Sequence, residues 1–122
     1  MPAISIARFR ELVSEALDGL PDEWADRLDN VAVVVEDEGS AEDLAAVGID
    51  PATGRELLGL YQGVPLDARG VFYSALPDRI VIYRGPILRV ARSRQDILRI
   101  VRETVLHELG HHFGLDEEDL PF

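Results

Sequence analysis

Apolar residues near the start of the chain recur at intervals of three and four, which is the period of an amphipathic helix. The residues of this pattern are Phe9, Leu12, Val13, Ala16, Leu17 and Leu20. Ser5 precedes the pattern as a candidate N-cap, and Gly19 and Pro21 follow it as terminators. The sequence therefore predicts an N-terminal helix, and a shorter helical stretch follows over residues 23–28.

Three short apolar runs predict β-strands. The first, residues 31–35, is mostly β-branched and almost wholly apolar, so we expect a buried strand. The second covers residues 57–64 and the third covers residues 79–83, with glycine or proline next to each. Between the first two runs, residues 41–47 form either a short helix that ends at Gly48 or a loop.

The last part of the chain predicts its longest helix. Pro86 can open a helical turn that continues to residue 90. Ser93 then begins the long helix, with Asp96 three residues later in a capping-box-like arrangement. Apolar residues continue to Phe113 on nearly every side, which indicates a buried helix that Gly114 ends. No repeat or linker interrupts the pattern, so we expect one domain over residues 1–122.

Composition excludes several kinds of chemistry. The chain has 122 residues, of which 47% are hydrophobic, so it is long and apolar enough for one domain with a core. Twenty-three acidic and 12 basic side chains give a net charge of −11, which disfavours binding to nucleic acid. The absence of cysteine excludes disulfides, thiolate metal sites and cysteine nucleophiles. All the basic residues are arginine, so lysine chemistry is excluded as well.

Arginine is concentrated in one segment. Residues 79–102 contain seven arginines and a single carboxylate, Asp96, whereas residues 11–56 contain 14 acidic residues. The arginine segment is either an anion or substrate site, or the partner of the acidic half. We expect the second, with the remaining charges solvated.

The sequence also gives expectations about location. The first ten residues have no basic lead followed by an apolar run, so no signal peptide is predicted. No apolar stretch approaches the length that crosses a bilayer. We therefore expect a cytoplasmic protein with no membrane association.

All three histidines lie within six positions, as His107, His111 and His112. On a helix, His107 and His111 lie one turn apart on the same side, about 40° from each other, and can ligate one Zn2+. Glu108 lies about 100° around the helix, too far to be a third ligand but able to act as general base on metal-activated water. His112 points away from His111, and we expect it to pack rather than bind metal.

A third metal ligand has to come from elsewhere. Gly114 allows a sharp turn after the helix, and four consecutive carboxylates follow over residues 116–119. The residues follow the pattern His-Glu-x-x-His-x-x-Gly-x-x-ligand. This spacing places Glu117 at the third-ligand position, and its neighbour Asp116 is the alternative. A fourth position left to water makes the predicted zinc site open, as catalytic sites are.

These motifs resemble those of a known family. Residues 106–117 look like the active-site helix of zincin metallopeptidases, and the whole chain resembles the small bacterial zincin-like metallopeptidases, or mini-zincins. The likeness extends to residues 59–65, 76–80 and 83–87. It implies an α+β class and a minimal zincin-like fold. The expected elements are an N-terminal helix, a small mixed sheet of three to four strands and a C-terminal active-site helix.

The resemblance also implies a reaction. His107 and His111 match the zinc histidines, Glu108 matches the catalytic glutamate, and Glu117, preceded by Asp116, occupies the third-ligand position. The implied activity is hydrolysis of a peptide bond in a peptide or protein substrate, with zinc as cofactor. Substrate could pair with the strand at residues 79–83. Tyr61, Tyr73 and Tyr83 are candidates for stabilising the oxyanion, although a core or surface role is expected for each.

Two other functions remain open from the sequence. One is a metal-binding or regulatory interaction module that keeps the site without catalysis. The other is a bacterial endoribonuclease with a His-x-x-x-His-x-x-Gly-x-Asp-His metal motif, which Gly114 and Asp116 fit. That motif needs a histidine where this chain has Glu117, and the negative charge disfavours RNA.

Overall fold

The computed structural model describes residues 4–29, 31–50, 53, 56–63 and 78–112. The elements in these ranges are α1 (Ile6–Asp18), α2 (Asp22–Arg27), β1 (Val31–Glu36), α3 (Ala41–Ala46), β2 (Gly59–Gln62), β3 (Asp78–Tyr83), α4 (Arg84–Val90) and α5 (Arg94–His112). None of these helices has both the length and the apolar composition needed to cross a membrane. Helices on a small mixed sheet confirm the predicted α+β class.

Side-chain caps define where the two long helices begin. The Ser5 hydroxyl accepts a hydrogen bond from the Arg8 backbone N–H at 3.1 Å, as the sequence predicts for the start of α1. At the start of α5, the Ser93 hydroxyl accepts from the Asp96 N–H at 3.1 Å. The Asp96 carboxylate in turn accepts from the backbone N–H of Arg92, at 2.9 Å. Each serine cap satisfies a backbone N–H that the first turn of its helix leaves without a partner.

The two short helices resolve points that the sequence left open. Within residues 41–47, Ala41–Ala46 form helix α3, which begins with a capping box between Ser40 and Asp43, and Gly48 follows with a φ of 75°. The sequence predicts that the next helix starts at Pro86. In the structure, α4 begins two residues earlier, at Arg84. Proline is compatible with this first turn because its missing N–H would have no helical partner there.

The sheet has the strand order β1–β3–β2, with β3 in the centre. Strand β1 runs parallel to β3, with Val33 opposite Ile80, and β2 runs antiparallel, with Tyr61 opposite Ile80. The central strand is buried from Ile80 to Tyr83. The expectation that residues 31–35 form a buried strand is wrong, because β1 lies at an edge and its residues are only half-buried.

Each face of the sheet is covered by different helices. The larger cluster lies between the sheet and helices α1 and α5, and includes Phe9, Leu12, Ile80, Ile82, Ile97, Val101, Val105 and Leu109. The opposite face holds a smaller cluster of Ile49, Leu57, Val81 and Tyr83, against which Leu44 of α3 packs. Helix α5 is therefore fixed against the sheet along its apolar side.

Strand β2 approaches α5 unusually closely at Gly59. A Cβ atom at this position would lie 2.5 Å from Thr104 Cγ2 and 3.1 Å from the carbonyl oxygen of Val81. The first distance is shorter than van der Waals contact permits, so a larger residue fits only if the Thr104 side chain, the strand or the helix moves.

The arginine segment pairs with the acidic part of the chain, as expected. Three of its arginines form ion pairs with carboxylates of residues 11–56: Arg84 with Asp37, Arg89 with Glu38 and Glu56, and Arg94 with Glu15. Arg99 pairs instead within α5, with Asp96 and Glu103. These pairs are largely exposed, and such pairs contribute about 0–1 kcal/mol each. They connect neighbouring segments and favour the structural interpretation over an anion site.

Candidate active site

The chemistry-bearing residues lie in the C-terminal turns of α5. The rings of His107 and His111 have centroids 4.3 Å apart and planes inclined by 64°. His107 is half-buried and His111 is exposed, so the pair lies at the boundary between the core and solvent. The predicted juxtaposition of these two side chains is confirmed.

The pair fits the nitrogen ligands of a zinc ion. Two imidazoles that each hold a tetrahedral zinc at about 2.0–2.1 Å have ring centres about 5 Å apart. The observed separation of 4.3 Å is close to that value. Neutral imidazole is also a donor that zinc prefers, so both geometry and chemistry are suitable.

Two ligands are not a complete site. Within the described ranges, no group of three histidine, aspartate or glutamate side chains is arranged to hold a metal ion. The predicted third ligands, Glu117 and Asp116, lie outside those ranges, as does the side chain of His112. The assignment of the third ligand stays a prediction.

Glu108 lies close to both histidines but in a different environment. Burial raises the pKa of its carboxyl group above the ordinary value, while His111, His107 and the Tyr61 backbone N–H act in the opposite direction. A half-buried carboxylate with a raised pKa takes up a proton more readily than one in water. Its position and environment therefore suit the role of general base that the sequence predicts.

Among the described residues, the outer edge of β2, which faces away from β3, lies next to this carboxylate. The Tyr83 N–H donates to the Leu58 carbonyl at 3.0 Å, and the antiparallel alternation then turns the backbone groups of Gly59 and Tyr61 away from β3. The outward N–H of Tyr61 donates a hydrogen bond to Glu108. Strand β2 thus positions the predicted base through its main chain.

This arrangement corrects one prediction. The sequence suggests residues 79–83 as the strand that pairs with substrate, but β3 is hydrogen-bonded to β1 on one side and to β2 on the other. A strand with both edges paired has no main-chain groups left for another chain. Strand β2 is the edge strand next to α5, and its contact with Glu108 is invisible in the sequence because every residue except proline has an N–H.

The tyrosines have structural partners. The Tyr61 hydroxyl donates to Asp78 at 2.8 Å, and the Tyr83 hydroxyl donates to Asp43 at 2.9 Å. Tyr83 is fully buried, and this burial, with the hydrogen bond to Asp43, raises the pKa of its hydroxyl group. Both side chains therefore have the core or surface role that was expected. Tyr73 lies outside the described residues.

A groove lies between β2 and α5 next to the histidines. Its volume is about 290 Å³, and its lining is mostly apolar. The lining residues are Leu58, Gly59, Ile100, Glu103, Thr104, His107 and Glu108. Only the last two were predicted as site residues, because the others are brought together by the packing of β2 on α5.

Comparisons with known proteins agree with this geometry. A sequence profile of the zincin-like metallopeptidases matches residues 28–121, and the chain belongs to this family. A solved structure of a conserved hypothetical protein from Thermo thermophilus is also similar, with 30% sequence identity and a TM-score of 0.58. That similarity covers 90% of this chain and 94% of the other. No curated protein matches the sequence.

Proposed function

We propose that this chain is a zinc-dependent peptidase that hydrolyses peptide bonds with metal-activated water and Glu108 as general base. The observation that carries the proposal is the convergence of three features at one end of α5. The histidine pair, the half-buried Glu108 and the outer edge of β2 meet there, beside a groove. Membership of the zincin-like metallopeptidase family supports the same reaction.

His107 and His111 would hold the zinc ion, with Glu117 or Asp116 as the third ligand. Zinc bound there supplies a Lewis acid that polarises the peptide carbonyl and lowers the pKa of water at the site. The tight packing of Val105 and Leu109 against the sheet fixes the helix that presents the histidines. The metal-binding geometry is therefore held by the core rather than by a loop.

Glu108 handles the proton in this proposal. Its carboxylate accepts a proton from the attacking water as the new carbon–oxygen bond forms. It then delivers that proton to the amide nitrogen as the carbon–nitrogen bond breaks, so that an amine and a carboxylic acid leave. Partial burial favours the protonated state of Glu108, which makes it easier for the carboxylate to accept the proton from water.

Strand β2 supports the binding of an extended substrate. The outward backbone groups of Gly59 can pair with a substrate strand, since they face away from β3. The Tyr61 N–H, which donates to Glu108, lies two residues further along the same edge. A substrate on this edge would therefore pass directly beside the proposed base.

The decisive experiment is the Glu108→Gln variant, assayed on a peptide mixture by mass spectrometry. Removal of the base is expected to lower turnover by about 10²–10⁴-fold, while the zinc content measured by elemental analysis stays unchanged. Glu11→Gln makes the same chemical change on the exposed face of α1 and is the matched control. It is expected to leave turnover unchanged.

Other results would select a different function. If neither the parent nor the Glu108→Gln variant cleaves any peptide although both bind zinc, a non-catalytic binding module becomes the better description. Cleavage of RNA that survives in Glu108→Gln would favour the endoribonuclease. If the purified protein holds no metal even after zinc is supplied, and His107→Ala makes no difference, the proposal is wrong.

A further inference from the structure

The groove beside the proposed catalytic residues extends well beyond them. It follows α5 from Glu108 back to Ile100, a rise of about 12 Å along the helix. Leu58 and Gly59 of the β2 segment form the opposite wall. A groove of this length and of about 290 Å³ has room for one long side chain beside the scissile bond.

The groove has an acidic side chain partway along its length, away from the catalytic end. Among the described lining residues, Glu103 is the charged group remote from the catalytic end, and no arginine contributes to the lining. Glu103 precedes Glu108 by five positions, a rise of about 7.5 Å on a helix. This span is comparable to the reach of an extended lysine or arginine side chain.

Glu103 has one competing partner. Nitrogen Nη1 of Arg99 lies 3.3 Å and 3.2 Å from its two carboxylate oxygens. The side chains of the two residues are 54% and 43% exposed, so water screens this pair within one helix. Such pairs shift an equilibrium by about a factor of two, which leaves the Glu103 carboxylate able to exchange partners.

From these observations we infer that the groove binds an arginine or lysine side chain of the substrate, and that Glu103 sets this specificity. The inference rests on the proposed peptidase function. The aliphatic stem would lie against Leu58 and Thr104, and the cationic end would reach Glu103. The net charge of −11 attracts cationic peptides to the chain in general, and Glu103 selects which side chain enters the groove.

Cleavage-site mapping tests the specificity. The zinc-loaded protein is incubated with a peptide library, and mass spectrometry gives the residues that flank each cleaved bond. Arginine and lysine are expected to exceed norleucine, which has a similar unbranched stem without charge, by about five-fold at one flanking position. Glu103→Gln should remove that preference, and Glu103→Arg should shift it towards glutamate.

Two further variants sharpen the result. Arg99→Gln removes the competing partner of Glu103 and is expected to increase the preference for basic side chains. Glu11→Gln alters an equally simple exposed carboxylate far from the groove and should leave the preference unchanged. A preference that falls in Arg99→Gln would contradict the inference, because it would mean that the ion pair itself is recognised.

A binding measurement separates this inference from the proposed function. The metal-free Glu108→Gln protein is titrated with blocked tripeptides, Ala-Arg-Ala and Ala-norleucine-Ala, by isothermal calorimetry. Tighter binding of the arginine peptide that disappears in the Glu103→Gln background supports the site even if no peptide is ever hydrolysed. Cleavage next to norleucine or leucine that ignores Glu103→Gln overturns the specificity while leaving the peptidase intact.

Discussion

The two halves of α5 use polar side chains in opposite ways. In the first half, polar residues close local hydrogen bonds and ion pairs at the surface, as in the Ser93 cap and the pairing of Arg99 with Asp96. In the second half, His107 and Glu108 are half-buried, and Glu108 takes its hydrogen bond from another element, β2. Polar groups with local partners stabilise the helix, whereas the half-buried groups of the second half are those proposed to bind metal and to transfer a proton.

The largest expected effect comes from a substitution that creates a cavity in the first half of α5. Ile97 is fully buried, so Ile97→Ala is expected to lower the free energy of unfolding by about 2–5 kcal/mol. Zinc bound per folded molecule should not change, because the histidine pair lies more than two turns further along α5. Urea unfolding and elemental analysis check the two statements. A loss of zinc from folded Ile97→Ala would show that the halves are coupled.

A change in the second half should have the reverse pattern. His107→Ala is expected to abolish the stabilisation by zinc, which amounts to about 2.7 kcal/mol when zinc is at 100 times its dissociation constant. The metal-free variant should be nearly as stable as the metal-free parent because His107 is only half-buried. Thermal unfolding with and without zinc measures both quantities. Equal zinc-induced shifts in parent and variant would remove His107 from the ligand set.

The cap at the start of α5 gives a smaller effect. Ser93→Ala removes the acceptor for the Asp96 N–H and is expected to cost about 1 kcal/mol of stability. Turnover measured well below the unfolding temperature should be unchanged, since the cap is remote from Glu108. Ser14→Ala, in the middle of α1 and exposed, is a suitable control that should not be destabilised by the same amount.

The smallest expected effect concerns Glu108 and pH. Burial raises the pKa of Glu108 in the folded chain, so the folded state keeps this proton to a higher pH than the unfolded state does. The associated stability is present below the ordinary carboxyl pKa of 4.5 and is lost as the pH rises through the raised value. In metal-free protein, Glu108→Gln should therefore gain stability relative to the parent between pH 5 and pH 8.

Urea unfolding at both pH values, with a chelator present, measures this difference. The other carboxylates titrate in both proteins, so the comparison reports on Glu108 together with its interactions with His107 and His111. A parent and a variant whose stabilities change in parallel with pH would show that Glu108 is no more buried than a surface carboxylate.

The sequence predicts what local chemistry determines. Ser5 and Ser93 mark the starts of α1 and α5 in the sequence, and the spacing of His107 and His111 predicts that their side chains lie side by side. A single helix determines each of these relations. The order of the strands depends on packing between distant segments. The sequence therefore predicts too much burial for β1, and it suggests β3 as the strand that pairs with substrate although β3 is paired on both sides.

The remaining part of the site has no signature in residue type. The contact of Tyr61 with Glu108 is made by a backbone N–H, and its phenol, the group that drew attention in the sequence, binds Asp78. The groove likewise depends on where Leu58 comes to face Ile100. These features follow from how β2 packs on α5, which no local pattern of residues encodes.

The close approach at Gly59 links the sizes of two positions that are 45 residues apart in the chain. Strand and helix have to stay near enough for the Tyr61 N–H to reach Glu108, and the space between them holds a single small side chain, that of Thr104. In other zincin-like chains, a larger side chain at one of these two positions should be accompanied by a smaller side chain at the other. A chain with alanine or serine at the position of Gly59 is expected to have a smaller residue at the position of Thr104.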